Sequence, residues 1–210
     1  MNYRSVAGET FTERVVEKSR FLGYCAHVTS EEEAKAFLAR LHAMHPAATH
    51  ICFGYIADKT GNLQRFSDDN EPQGTAGMPI LGVIKAQKLF ETAVAVVRCF
   101  GGIKLGAGGL TRAYATSASE VLAAAEICEY GVCAELRVRA EYSEVNALLK
   151  FYEESGVKVL SREFAAQAEF VVAVREEEAE EFEKKLLNCV NGRATVTRGK
   201  SYYFPFPIVK

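Results

Sequence analysis

The transition from an apolar run to a cluster of glycines constrains the fold of this 210-residue chain more than any other feature. The run 92–100, "TAVAVVRCF", is apolar nearly throughout, which predicts a strand that is covered on both faces. Five glycines follow within the stretch "RCFGGIKLGAGGLTRAY", and an apolar helical face begins at Leu110. The chain must therefore pass from a buried strand to a central helix through a segment whose backbone is unusually free.

A strand that delivers glycines to the start of a helix predicts an anion-binding loop. Main-chain N–H groups can converge there, and the helix dipole also favours negative charge. The spacing is neither a P-loop nor a dinucleotide fingerprint. The alternative is that the glycines only permit tight packing. The predicted anion- or nucleic-acid-binding residues are Arg98, Gly101, Gly102, Lys104, Gly106, Gly108, Gly109 and Arg112.

The turn-rich stretch "RFSDDNEPQGTAGMP", residues 65–79, is the second candidate. It crowds three carboxylates among Asn, Pro and Gly, and Thr75 is expected to cap the following helix. Because Asp, Asn and Ser are common turn builders, the favoured interpretation is that they only shape the loop. In a binding protein, we expect the carboxylates also to orient the nearby cations. A bound divalent cation is the alternative, although the spacing does not match an EF-hand. The members of this supporting acidic loop are Arg65, Asp68, Asp69, Glu71 and Thr75.

No motif for catalysis or for a metal stands out. His50 and Cys52 share one strand face, but a zinc site needs further ligands that the sequence does not supply. A G-x-S-x-G elbow and a C-x-x-C pair are both lacking, so the six cysteines are interpreted as reduced and structural. The sequence therefore predicts no catalytic residue, no metal and no cofactor, and it favours a protein that is not an enzyme.

The pattern along the chain predicts an α+β fold with two domains, 1–131 and 132–210. The second domain follows the order βαββαβ, which is ferredoxin-like, and Ser143 is expected to cap its first helix. The aromatic tail "YYFPF", 202–206, is expected to dock over a hydrophobic edge rather than stack on bases. In the first domain we predict strands 11–17, 20–28, 50–57, 63–66 and 92–100 and helices 31–44 and 76–87, besides the helix after the glycines.

Composition limits the partners. The chain has 25 Lys and Arg against 27 Asp and Glu and a net charge of −2, so only a local patch can attract nucleic acid. No apolar run is long enough to span a membrane, and the polar N-terminus lacks a secretory signal. We therefore expect a cytoplasmic protein without a membrane partner.

Four motifs, in this order, carry a family resemblance: "EKSRFLGYCAHV", "HPAATHICFGY", "RFSDDNEPQGTAGMPIL" and "RCFGGIKLGAGGLTRAY". The chain resembles the IMPACT family, and its two-domain length resembles the bacterial YigZ branch. The resemblance implies an N-terminal α/β sandwich like the second domain of a small-subunit ribosomal protein, a fold shared with GHMP kinases. It also implies a C-terminal domain like the last domain of elongation factor G. Two residues depart from the pattern: Cys99 replaces an aromatic residue, and Asn70 replaces a glycine.

The resemblance implies a link to translation, and three functions follow as hypotheses. The favoured one is a non-enzymatic binding or regulatory protein that contacts an RNA phosphate backbone, the ribosome or a translation factor. The alternative is an enzyme of GHMP-kinase-like fold that binds a phosphate-bearing or nucleotide ligand. The third is a module that binds only another protein. Because the net charge is close to zero, we expect RNA affinity to be modest and sensitive to salt.

Overall fold

The computed structural model describes residues 2–208, which divide into two compact units: Tyr3–Glu129 with 207–208, and Tyr130–Phe206 with Asn2. The helices are α1 (Glu31–Met44), α2 (Gly77–Ala86), α3 (Gly106–Ala124), α4 (Val145–Ser155) and α5 (Ala179–Cys189). The strands are β1 (Tyr3–Val6), β2 (Thr10–Val16), β3 (Ser19–His27), β4 (His50–Ile56), β5 (Gln64–Ser67), β6 (Thr92–Cys99), β7 (Ile127–Ala140), β8 (Lys158–Phe164), β9 (Ala168–Arg175) and β10 (Ala194–Pro207).

The N-terminal unit is built on an antiparallel sheet of order β2-β3-β6-β4-β5. Strand β6 lies in the centre, and every residue from Thr92 to Arg98 is buried, as the apolar run predicted. Alternation of side chains explains this burial, because Val94 and Val96 face one core while Ala93 and Ala95 face the other. Helices α2 and α3 cover the first face, and α1 covers the second.

The turn between β2 and β3 is unusually tight. Val16 pairs with Ser19, so Glu17 and Lys18 alone connect the strands, and both have positive φ, at 45° and 63°. Such a two-residue turn matches the twist of a hairpin but is strained for residues other than glycine, asparagine or aspartate. The main chain of Lys18, in this turn, packs against Gly101 of the glycine stretch.

Helix α3 begins earlier than the sequence pattern predicted. Its first turn is Gly106–Gly109, whereas the apolar periodicity begins at Leu110. Glycine has a low helix propensity, which concealed this turn. Burial of Leu110, Ala113 and Tyr114 stabilises the helix and overrides that propensity. Three of the five glycines therefore belong to a helix, and the connecting loop is only residues 100–105.

The C-terminal unit has the ferredoxin-like strand order β10-β7-β9-β8, with antiparallel pairing of β7 with β9 and of β9 with β8. Its two helices pack on one face through Leu148, Tyr152, Phe182 and Leu186. The fold class predicted from the βαββαβ pattern is confirmed.

Several boundaries in the sequence-based assignment were wrong. Strand β7 begins at Ile127 instead of 134, and β1 was missed because four residues give too short a pattern to recognise. The last strand extends to Pro207 and so includes the aromatic tail. Within that tail, Phe206 is buried against Cys133 and Ala173, so the expected docking is confirmed. None of the described helices is long and apolar enough to cross a membrane.

Candidate functional site

A buried ion pair lies beneath the glycine stretch. Arg98, at the end of β6, is 5% exposed, and Glu71, in the acidic loop, is 8% exposed. The Arg98 Nη1 atom lies 2.6 Å from Glu71 Oε1. The Tyr114 hydroxyl of α3 donates to the same oxygen at 2.7 Å. One carboxylate therefore joins the central strand, the acidic loop and the helix that follows the glycines.

The remaining contacts of Arg98 hold the start of the loop. Its guanidinium lies 5.4 Å from the ring centroids of both Phe21 and Phe100, and Nη2 donates to Ser19 Oγ at 3.4 Å. The same hydroxyl accepts the Gly101 N–H at 3.2 Å. The sequence analysis placed Arg98 among anion-binding residues. Its burial and its existing partners do not fit that role, and they indicate instead that Arg98 supports the loop from inside.

The acidic loop is organised by Asp68. Its Oδ1 accepts the N–H groups of Ala76 and Gly77 at 3.0 and 2.8 Å, and its Oδ2 accepts the Gly74 N–H at 2.7 Å. Burial alone would raise the pKa of this carboxyl, but the three N–H donors outweigh it and lower the pKa from the ordinary value. The expected cap, Thr75, instead donates to the Pro72 carbonyl at 2.6 Å. Asp68 therefore caps α2 from eight residues away.

We expect Asp68→Asn to lower the free energy of unfolding by about 1–2 kcal/mol at pH 7, because an amide cannot accept all three N–H donors. A carboxyl whose pKa is lowered in the native state stabilises the fold at pH values above its unfolded pKa, near 4. That stabilisation is lost as the pH falls through the native pKa. Thermal unfolding at pH 7 and pH 3 checks this. The difference between the variant and the wild type should be smaller at pH 3.

The matched control for this prediction is Glu32→Gln, which removes an exposed carboxylate from α1. It should change stability much less at pH 7. Equal effects of the two substitutions at pH 7 would contradict the capping role of Asp68.

The other residues of this region are tied to the loop backbone. Asp69 Oδ2 accepts the Ile51 N–H at 2.6 Å, and His50 Nδ1–H donates to the Asp69 carbonyl at 2.7 Å. The Cys52 thiol donates to the Asp68 carbonyl at 3.1 Å, and burial raises its pKa to about 12. Asn70 has φ of 65°, so asparagine adopts here the left-handed conformation that glycine would supply. Among residues 2–208, no three metal-ligating side chains converge.

The two outward cations of the glycine stretch are free. Lys104 and Arg112 are exposed, and neither has a hydrogen bond or ion pair with any other described residue. In the described part of the chain, the N–H groups of 102–105 also have no acceptor, whereas those of Phe100 and Gly101 are bound to Thr49 and Ser19. The expectation that the carboxylates orient these cations was wrong, because Asp68, Asp69 and Glu71 bind other groups.

Sequence reasoning missed two residues of the buried network. Tyr114 was recognised as part of the apolar face of α3, but its hydroxyl was given no partner. A buried tyrosine hydroxyl usually needs one, and that signal was available. Ser19 gave no signal, because it was read only as part of a turn. Arg65, a predicted member of the acidic loop, is exposed on β5 and donates to the Gln64 carbonyl at 3.2 Å. It does not join the network.

Comparisons with known proteins cover both units. A sequence model of the Impact N-terminal domain matches residues 17–122, and a domain of unknown function, DUF1949, matches residues 138–193. IMPACT family member YvyE of Bacillus subtilis (strain 168) is 36% identical over 191 residues, which cover 91% of this chain and 88% of the relative. IMPACT family member YigZ of Escherichia coli (strain K12) is 32% identical over 179 residues, which cover 84% and 88%.

A solved structure also matches. A crystal structure described as that of a hypothetical protein superposes with a TM-score of 0.61 at 29% sequence identity. The match covers 95% of this chain and 98% of that chain. The similarity therefore extends over nearly the whole length of both molecules.

Proposed function

This chain belongs to the IMPACT family, and on that premise we propose that it is a binding protein of the translation system that contacts RNA phosphates on the ribosome. The contact surface is the loop 100–105 with the first turn of α3, together with Lys104 and Arg112. We call this the glycine surface. Support for the link to translation comes from the folds that the family resemblance implies, which recur in proteins that contact the ribosome, and this is an argument by analogy.

The observation that carries the proposal is the set of unpaired donors on this surface. Lys104, Arg112 and the N–H groups of 102–105 have no partner within the described residues. Backbone N–H groups and basic side chains before a helix are the groups that most often bind phosphate oxygens. The buried Arg98–Glu71 pair below them fixes the loop, so these donors are held in place before a phosphate arrives.

Gly108 provides a second argument. It lies in the first turn of α3, its φ is not positive, and an added Cβ would meet nothing within 4 Å. Neither backbone conformation nor packing requires glycine here, although glycine costs a helix up to about 1 kcal/mol relative to alanine. The remaining reason for glycine at position 108 is that it lets the backbone of a ligand approach closely.

The kinase-like alternative fits this geometry less well. Phosphoryl transfer needs carboxylates that can hold a metal or accept a proton from the acceptor. Asp68 is bound to three N–H groups, Asp69 to the Ile51 N–H, and Glu71 to Arg98 and Tyr114. These carboxylates maintain the fold of the loop, so the geometry favours binding without catalysis.

We expect the double variant Lys104→Ala/Arg112→Ala to bind ribosomes at least about tenfold more weakly at low salt, because two phosphate contacts are lost. The slope of log affinity against log salt should fall by about 2. Co-sedimentation of the full chain with ribosomes over a range of salt concentrations measures both quantities.

The matched control is Lys35→Ala/Arg40→Ala, which removes two cations from α1 on the opposite face of the same sheet. It should leave the salt slope unchanged. Failure of the wild-type chain to pellet at low salt, or an unchanged slope in Lys104→Ala/Arg112→Ala, would count against the proposal.

A further inference from the structure

A cavity of about 270 Å³ lies in the C-terminal unit, and none of the residues of the proposed function lines it. It forms where the end of β7, the start of α4 and the turn between α5 and β10 meet. Four of the residues that line it are charged, two of them positive and two negative: Arg139, Glu141, Glu144 and Arg193.

Glu144 is the unusual member of this set. It is only 4% exposed, and burial of a carboxylate is costly unless its oxygens are well bonded. Its Oε1 accepts the Ser143 hydroxyl at 3.0 Å and lies 3.2 Å from Arg193 Nη2. Its Oε2 has no hydrogen-bond partner among the described residues. One acceptor atom of this buried side chain is thus left available, in a residue that lines the cavity.

Helix capping does not explain Glu144. It occupies the N-cap position of α4, but its carboxylate makes no capping hydrogen bond. The cap expected from the sequence, Ser143, is also wrong, because its hydroxyl donates to Glu144 instead of to the helix backbone. The structure therefore gives this carboxylate no role in starting the helix.

The other charges are only partly neutralised. Glu141 accepts from the neutral Gln167 side chain at 2.7 Å and forms no ion pair within the described residues. Arg139 uses only Nε, which donates to Glu169 at 2.5 Å, and Arg193 Nε donates to the Val190 carbonyl at 3.4 Å. Within residues 2–208, both Nη atoms of Arg139 and the Nη1 atom of Arg193 have no acceptor.

From this arrangement we propose that the cavity binds a small zwitterion that carries a primary ammonium and a carboxylate, which is the chemistry of a free amino acid. The ammonium donates to Glu144 Oε2 and to Glu141. The carboxylate accepts from the Nη donors of Arg139 and Arg193, a pairing that guanidinium geometry suits. The four lining charges sum to zero, which matches a ligand without net charge. A cavity of this volume lies just below the usual range for ligand sites and suits a small molecule.

The test is a thermal-shift screen of the full chain with each common L-amino acid at about 10 mM. A ligand with a Kd near 1 mM should raise Tm by about 3 °C or more. The methyl ester and the N-acetyl form of the best amino acid, which each lack one charge, should bind at least about tenfold more weakly. Glu144→Gln should weaken binding by about tenfold or more, because one charge-assisted hydrogen bond is lost.

The matched control is Glu180→Gln, an equal change of charge at an exposed position of α5, which should bind as the wild type does. Since Glu144→Gln breaks a buried ion pair and can unfold the unit, amide chemical shifts of the wild-type chain are followed as well. The largest shifts on titration should be those of Gly192, Thr195 and Gln167. A flat screen, shifts elsewhere, or full binding by a folded Glu144→Gln variant would overturn the proposal.

Discussion

Replacing Glu71 by alanine should lower the free energy of unfolding of the N-terminal unit by about 3–5 kcal/mol. The substitution leaves the Arg98 guanidinium charged and buried without a counterion, and it also removes the acceptor of the Tyr114 hydroxyl. Hydrogen exchange of the full chain measures this, because the most protected amides of β3 and β6 report the unfolding of this unit separately from the C-terminal one.

Glu120→Ala is the matched control for Glu71→Ala. Glu120 forms an ion pair with Arg14 at 3.2 Å, but its side chain is 46% exposed, so the loss should be at most about 1 kcal/mol. If Glu71→Ala destabilised no more than Glu120→Ala, the buried pair would not support the glycine surface and would not hold its donors in place.

We expect the buried network to specify geometry more than it adds stability. The triple replacement Arg98→Met/Glu71→Leu/Tyr114→Phe removes the Glu71 carboxylate together with the two side chains that donate to it. It should therefore be closer in stability to the wild type than Glu71→Ala is. The same replacement should weaken ribosome binding, because the loop then loses the bond from Arg98 to Ser19, which also accepts the Gly101 N–H.

The elements that could be predicted from the sequence are those whose pattern is set by burial. Strand β6 is apolar at successive positions because both faces are covered, and α1 shows Ala34, Phe37, Leu38 and Leu41 at helical spacing. The start of α3 could not be predicted in this way. Its first turn, Gly106–Gly109, contains three glycines and a single side chain, the exposed Ala107, so it shows no buried apolar face and a low overall helix propensity. It forms because the buried turns after it hold it in place.

The candidate site was predicted in its parts but not in its connections. The sequence identified both the glycine stretch and the carboxylates of 68–71, yet it assigned those carboxylates to Lys104 and Arg112. Hydrogen-bond partners depend on where distant segments meet, and 27 positions separate Arg98 from Glu71. The wrong cap at Thr75 has a similar cause. A cap predicted from local sequence is only the nearest residue that could accept from the first N–H groups of a helix. In α2 the Asp68 carboxylate, from an earlier part of the loop, accepts those N–H groups instead of Thr75.

Gly101→Ala should destabilise the N-terminal unit by about 3 kcal/mol. An alanine Cβ would overlap the main-chain carbonyl of Lys18 and lie 2.5 Å from the Ser19 nitrogen, which is closer than real Cβ contacts allow. The obstacle is backbone in a strained two-residue turn, so it cannot move aside as the end of a long side chain could. Hydrogen exchange of the same β3 and β6 amides provides the measurement.

Gly108→Ala is the matched control for Gly101→Ala in the same stretch, and its effect should have the opposite sign. The helical position is open, so alanine should stabilise the unit by about 0.5–1 kcal/mol. If the glycine surface receives a phosphate backbone, the same methyl group should weaken ribosome binding although the fold is more stable. Stabilisation by Gly108→Ala with unchanged binding would mean that the ligand does not approach this turn. Destabilisation would mean that glycine is needed there for the fold. The pair of variants therefore separates glycine that serves packing, at position 101, from glycine that serves a ligand, at position 108.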